Sequence, residues 1–597
     1  MLGKIAKHTP EYFILMIVEG VIWGLINSAT AIFSYKLLNA VGAGCSFSYA
    51  AKIIAVMATF YLLAYAFDQW YWRIKNPLMR QKLHLSMHEE MFAKARSIDL
   101  SCFDDPEFYN DFVWAMNESD RRAVDIIEDT GKLINRIVAS STLFTLLLTV
   151  DPTVALILFA SCTVTVICNL IGNKVSFAHS KESNPLYRKK GYINRVYRLS
   201  DHAKEIRISH ASELLEKQYD ENTQKLIECD MKYGKKYFLI FGLGFEALGT
   251  LTVFGIILYM ISMLGKGLAV GSMVASVGVV FRIRWMLVDL IQRITKYPKH
   301  SLYVEKYLEF MNFDNKVKSG TEDVPEFESL ELRNVSFSYE FASHPKYQYH
   351  DADHKSHTDA EANDALCNVS LKINKGEKIA IVGYNGAGKT TLIKLIMRLY
   401  DPSEGEILYN GVDIRQYDIE KYRSKIGTVF QDFKIFATSI AENVMNGEYS
   451  DEMESTVIDA LEASDFTEKL STLEDGIHTH LTREFDEKGT NLSGGESQKI
   501  AISRVFAKSF PIVIMDEPSS ALDPNAEYNL NRSILERTSE KTVIFISHRL
   551  STTRIADKIY MFEKGHLIEQ GSHTELLDFG GKYAEMFELQ SRKYRES

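Results

Sequence analysis

Gly383-Tyr384-Asn385-Gly386-Ala387-Gly388-Lys389-Thr390 satisfies the pattern G-x-x-x-x-G-K-[ST] at every fixed position. Glycines in such a loop let successive backbone N–H groups close around phosphate oxygens. Lys389 supplies a positive charge for the β- and γ-phosphates, and the Thr390 hydroxyl suits a nucleotide-borne Mg²⁺. Residues 379–382 read as a strand and residues 391–400 as a helix, which is the order the loop requires. The pattern therefore predicts a nucleotide site in an α/β domain. By itself it suits a kinase, a GTPase or a helicase equally.

Working outward, the chain of 597 residues is too long for one hydrophobic core, and its composition is divided. Most long apolar runs precede residue 295, and the remainder has the mixed composition of a soluble α/β domain. Six segments, 12–35, 53–70, 133–150, 153–172, 237–264 and 268–290, are each long enough to cross a bilayer. The first is not a secretory signal, because its apolar run is too long and no convincing small-residue cleavage site follows it. A net charge of -10 without a basic tract points away from nucleic acid. The six cysteines, at 45, 102, 162, 168, 229 and 367, show no C-x-x-C spacing and read as reduced packing residues.

Basic residues predict the orientation. The connections between spans two and three and between spans four and five carry Lys75, Arg80, Lys82, Arg121, Arg122, Lys189, Lys190, Arg195 and Arg198. The other connections are short and nearly uncharged, so the positive-inside rule places the long loops and both termini in the cytoplasm. Both long connections are helix-permissive, and the spans are expected to continue as helices beyond the bilayer. Residues 104–109 and 203–207 lie near the middle of the two connections, where a helix turning back would present a knob to the nucleotide domain or form a plain solvated turn.

A polar linker at 312–326 separates a membrane domain at 1–311 from a second domain at 327–597. After the loop, Phe430-Gln431-Asp432 follows an apolar strand, and Leu492-Ser493-Gly494-Gly495-Glu496-Ser497-Gln498 opens a helix. Ile512-Val513-Ile514-Met515-Asp516-Glu517 is a buried strand ending in two acids. Ser520-Ala521-Leu522-Asp523 follows, and Ser547-His548 comes after a further strand at 542–546.

In this order the motifs resemble those of the ATP-binding cassette (ABC) transporters over nearly the whole chain, in the arrangement of a bacterial multidrug or peptide exporter half-transporter. The resemblance implies a membrane all-α domain of six spanning helices followed by an α/β P-loop nucleotide-binding domain. It implies ATP and Mg²⁺ as cofactors, location in the bacterial cytoplasmic membrane, and ATP hydrolysis coupled to export. Tyr339 is then the aromatic that stacks on adenine, and Gly383, Asn385, Gly386, Gly388, Lys389, Thr390 and Thr391 hold phosphates. Gln431 senses Mg²⁺ and water, Asp516 supports Mg²⁺, Glu517 holds the attacking water, and His548 contacts the γ-phosphate. Ser493, Gly494, Gly495 and Glu496, with Asp523, serve ATP bound to a second subunit, so a dimer is required. An intact Glu517 and signature favour a homodimer over a heterodimer with one degraded site. An ATP-gated channel or regulatory subunit on the same fold is the alternative activity.

Departures from the family pattern are mild: Glu496 stands where glutamine is commoner, and Asp486 where glycine is usual. Glu19, Asp68, Glu246 and Arg282 fall inside apolar segments, where they either pair with one another or select a cationic or zwitterionic cargo. Gly20 and Gly24 form a G-x-x-x-G read as ordinary helix packing. Few residues precede the first span, so no leader-cleaving peptidase domain is expected there. A His-rich insertion at about 340–364, with His344, His350, His354 and His357, reads as a surface insertion or a metal-binding tract.

Overall fold

The computed structural model describes residues 9–199, 202–264, 266, 270–294, 296–339, 364–519, 524–547 and 553–595. It divides into two compact units: residues 1–97 with 110–313, and residues 98–109 with 314–597.

The first unit is built of long helices. Pro10–Gly42, Phe47–Trp70, Pro106–Val150, Pro152–Arg198, Leu248–Leu264 and Val270–Ile294 cover or overlap all six apolar segments. Four helical runs, Pro10–Gly42, Phe47–Ser97, Pro152–Arg198 and Ala211–Leu264, are long and apolar enough to cross a membrane by length and composition alone. The run of 54 residues measures roughly 80 Å at 1.5 Å per residue, far beyond a hydrocarbon core of roughly 30 Å. These helices are therefore longer than a bilayer crossing needs. Two of these runs contain wider π-helical turns, Tyr71–Lys75 and Phe238–Ala247.

Apolar faces interlock in this unit: Ala139, Leu143 and Leu147 pack with Val154, Leu158, Val253, Ile256, Val279 and Ile283. Small residues allow the closest approaches. A Cβ on Gly20 would lie 2.5 Å from the Gly131 carbonyl oxygen, and one on Gly24 would lie 2.7 Å from Val138 Cβ. The G-x-x-x-G thus seats the first span against a helix of its own chain.

The ionisable residues of the spans are arranged differently from the Arg282 pairing considered above. Arg284 meets Glu246 at 3.2 Å, whereas Arg282 is exposed and makes no ion pair among the described residues. Two residues along a helix turn the side chain through roughly 200°, so one position faces the Glu246 helix and the other faces away. Glu19 accepts a hydrogen bond from the Trp72 indole at 3.3 Å, and Asp68 accepts one from Trp23 at 2.8 Å.

The second unit holds two sheets. In one, β1 (Ser329–Phe337), β2 (Leu366–Asn374), β4 (Glu404–Tyr409) and β5 (Val412–Asp413) pair antiparallel in the order β2-β1-β4-β5. In the other, β3 (Lys378–Gly383), β6 (Ile426–Val429), β7 (Ile512–Asp516), β8 (Thr542–Ile546), β9 (Lys558–Glu563) and β10 (His566–Gly571) run in the order β10-β9-β3-β8-β7-β6. All neighbours in that sheet are parallel except β10 and β9. Strands β7 and β8 are buried at every residue, which is why they read as unbroken apolar runs.

Residues 98–109 group with this second unit although they lie between the second and third spans in sequence. The Asp99 carboxylate accepts the Lys316 N–H at 2.5 Å, and the Tyr400 hydroxyl donates to Asp104 at 2.5 Å. Burial pushes the Tyr400 phenol well above its ordinary value, and its bond to Asp104 adds to the effect. The short helix Ala203–Ile208, on the other long connection, buries none of its side chains. Arg398, only 1% exposed, ties the linker down by donating to the Lys318 carbonyl at 2.5 Å.

Candidate functional site

The parallel strands β3, β6 and β7 end at one edge of the sheet, and the segments leaving them carry Lys389, at a helix start, and Gln431 and Glu517, in loops. This carboxyl edge is where open α/β sheets bind ligands. Gly388 has φ +96°, and a Cβ there would lie 2.5 Å from the Ala365 carbonyl oxygen. Gly383 is equally constrained, since a Cβ would collide with the Phe562 carbonyl oxygen. Glycine is therefore required where the chain bends into the helix Lys389–Ile396.

Tyr384, Asn385, Gly386 and Thr390 stand exposed around that helix start, whereas Lys389 is buried. The Lys389 ammonium donates to the Gly383 carbonyl at 2.7 Å and the Tyr384 carbonyl at 3.1 Å, bracing the loop from inside. Burial lowers its pKa, and Glu517 and Asp516 act in the opposite sense. A phosphate would offer this ammonium a stronger acceptor than the two carbonyls.

Asp516, 5% exposed, ends β7. Burial and then the neighbouring Glu517 push its carboxyl up to about 6, with Lys389 opposing. Glu517 takes φ +48°, an uncommon left-handed conformation, and its N–H donates to the Ile546 carbonyl at 2.9 Å. Its carboxylate accepts from Gln431 Nε2 at 3.2 Å, which brings two of the expected residues together. A buried carboxylate, an amide oxygen and an exposed hydroxyl are the hard oxygen donors that Mg²⁺ takes, so the residues present fit that ion.

The signature opens the helix Gly494–Phe506. Ser493 and Glu496 form a capping box: the Glu496 N–H donates to Ser493 Oγ at 3.3 Å, and the Ser493 N–H donates to the Glu496 carboxylate at 2.7 Å. Although burial alone would raise it, the Glu496 carboxyl is held low by both Ser493 bonds and by Lys469. A glutamate at this position thus has a structural reason. So has Asp486, whose side chain accepts the Lys488 N–H at 2.9 Å and closes its own turn.

Gln498, which closes the signature stretch and has no role in the sequence reading, is buried and donates to the Glu517 backbone carbonyl at 3.2 Å. It connects the signature helix to the strand end that carries the acids. Its place in that stretch is the only signal the sequence offers for it. Tyr339 is half-buried, sharing a 3.1 Å hydroxyl contact with Thr391 and packing edge-on against Phe337 and Tyr400. Asp523, His548 and the insertion residues His344, His350, His354 and His357 lie outside the described residues.

Residues 366–520 match the family described as ABC transporter. The chain is 28% identical over 593 residues to the subtilin transport ATP-binding protein SpaT of Bacillus subtilis, covering 97% of this chain and 92% of that one. It is 38% identical over 262 residues to an ATP-dependent lipid A-core flippase of Burkholderia orbicola, covering 44% of this chain and 40% of the flippase. Its fold matches the structure of a bacterial Atm1-family ABC exporter with ATP bound at a TM-score of 0.72, 21% identity and 98% coverage of both chains. The second unit is accordingly an ABC ATP-binding domain. The chain as a whole is a multi-pass membrane protein with the ABC exporter fold, and ATP hydrolysis coupled to transport is its activity.

Proposed function

We propose that two copies of this chain form an exporter in the bacterial cytoplasmic membrane, with termini and ATP-binding domains in the cytoplasm. The observation that carries the reading is one strand edge bearing Lys389, Gln431, Asp516 and Glu517, with Gln431 and Glu517 in hydrogen-bond contact. Lys389 stabilises the γ-phosphoryl oxygens and Glu517 orients the attacking water, so the chemistry rests on positioning and charge rather than on a covalent intermediate. Asp516, Thr390 and Gln431 would hold Mg²⁺, which supplies further neutralisation of phosphate charge when bound. Tyr339 stacks on adenine, and His548 completes the γ-phosphate contacts. Ser493 to Glu496 and Asp523 close over ATP held by the other copy, and opening and closing of the pair alternates access across the bilayer.

The cargo belongs to the peptide, drug-like or lipidic class. A near full-length relative named for subtilin transport supports a peptide, and a partial relative named for lipid A supports a lipid. Among the described residues Glu19 and Asp68 make no ion pair and are held only by neutral donors, including two indoles. Spare negative charge in apolar segments favours a cationic or zwitterionic cargo. ATP-dependent accumulation of such cargo in proteoliposomes tests the proposal.

The Asp516 carboxyl gives a pH prediction. Its folded pKa, about 6, lies above the ordinary carboxylate value, so the folded protein holds this proton in the window from roughly pH 4 to 6. Stability from this group is therefore greatest below that window and falls as pH rises through it. Mg²⁺ needs the deprotonated form, so the enhancement of ATP affinity by Mg²⁺ is expected to shrink as pH drops below 6. Nucleotide-binding isotherms on either side of that pKa, with and without Mg²⁺, measure this, and Asp516→Asn should abolish the difference.

A further inference from the structure

The helix Asn76–Ser97 carries His84 and His88 one turn apart, roughly 20 Å beyond the end of the second apolar segment. Residues four apart share one face of a helix, so both imidazoles point the same way. Across from them, the helix Pro106–Val150 presents Asp120. His84 Nδ1 lies 2.8 Å and His88 Nε2 3.1 Å from the same oxygen, Asp120 Oδ2. All three potential ligand atoms fall within 4.8 Å of one another.

We propose that His84, His88 and Asp120 form a binding site for a divalent transition-metal ion of the zinc type, joining these two helices outside the apolar segments. Two imidazoles and one carboxylate are a ligand set that suits zinc and its first-row neighbours, and they leave a fourth position for water. Bonds of about 2.0–2.2 Å in a tetrahedron space ligand atoms by roughly 3.3–3.6 Å, so each ring nitrogen would part from Asp120 Oδ2 by only roughly 0.2–0.8 Å. The other carboxylate oxygen, Oδ1, already accepts the Arg121 N–H at 2.6 Å, which fixes the carboxylate with Oδ2 turned toward the rings.

The ring of His88 is turned so that one nitrogen serves the cluster. His88 Nδ1 is buried and has no hydrogen-bond partner. His88 therefore makes its polar contact in this cluster through Nε2, the atom that faces Asp120 Oδ2. The side chains are 28%, 32% and 17% exposed, so an ion and its water have access from solvent.

The test uses Zn²⁺ alone on the full chain stripped with chelator, and on the same chain lacking residues 341–363 so that the insertion histidines contribute nothing. One equivalent should remain in the shortened chain, and His88→Gln or Asp120→Asn should weaken it at least about 10-fold while ATP turnover persists. On the unaltered chain, Zn²⁺ should protect His84 and His88 from diethyl pyrocarbonate, read by peptide mass spectrometry. No Zn²⁺ in the shortened chain, binding indifferent to both substitutions, or labelling unchanged by Zn²⁺ would each overturn the site.

Discussion

Replacing Glu517 with glutamine is expected to lower ATP turnover at least about 10²-fold, the scale on which a positioned acid–base group contributes. Glutamine keeps the size of the side chain and its reach toward Gln431, so the strand end and the loop bracing by Lys389 should survive. ATP binding is then retained while the water loses its orienting carboxylate. The variant should accumulate as a closed, ATP-loaded dimer. Turnover assays and size analysis in detergent with Mg-ATP check both halves, and wild-type turnover in Glu517→Gln would remove the residue from its role.

The second large effect concerns the composite site. Lys389→Met removes the buried ammonium that spans Gly383 and Tyr384, and Ser493→Arg breaks the capping box that opens the signature helix. Each variant alone should lose at least about 10²-fold in turnover, since preorganised charge and donors contribute on that scale. Co-assembled, the two variants place the intact Lys389 of one copy opposite the intact signature of the other. Random pairing makes half of the dimers mixed, each with one sound site, so turnover should return to about a quarter of wild type. A mixture as inactive as its components would contradict a site shared between two identical chains.

Strands β3, β7 and β8 were legible in the sequence because strands buried on both faces read as continuous apolar runs. The phosphate loop was legible because its glycines answer to backbone geometry, as the φ of Gly388 shows. The six apolar segments fall on long helices, but an apolar run ends well before helices such as Pro152–Arg198 do. Their lengths could be expected only from helix-permissive composition.

Contacts between residues far apart in sequence left no trace in either pattern. The bond from the Lys316 N–H to the Asp99 carboxylate joins two positions that carry no local signal for each other, and only the fold reveals it. The same holds for the grouping of residues 98–109 with the second unit. The choice of Arg284 over Arg282 for Glu246 depends on helix rotation, which a list of charged residues does not contain. The glutamate in the signature looked like a departure from the family until its bonds to Ser493 supplied a local reason.

The central claim is that hydrolysis at this strand edge moves cargo uphill. The purified chain alone, reconstituted in liposomes with its ATP-binding domains outward, can be supplied with Mg-ATP and a panel of cationic dyes, lipids and short peptides. Accumulation above the external concentration should occur in wild type and vanish in Glu517→Gln. Equal flux in both, running only down the gradient, would contradict the account and define a channel instead.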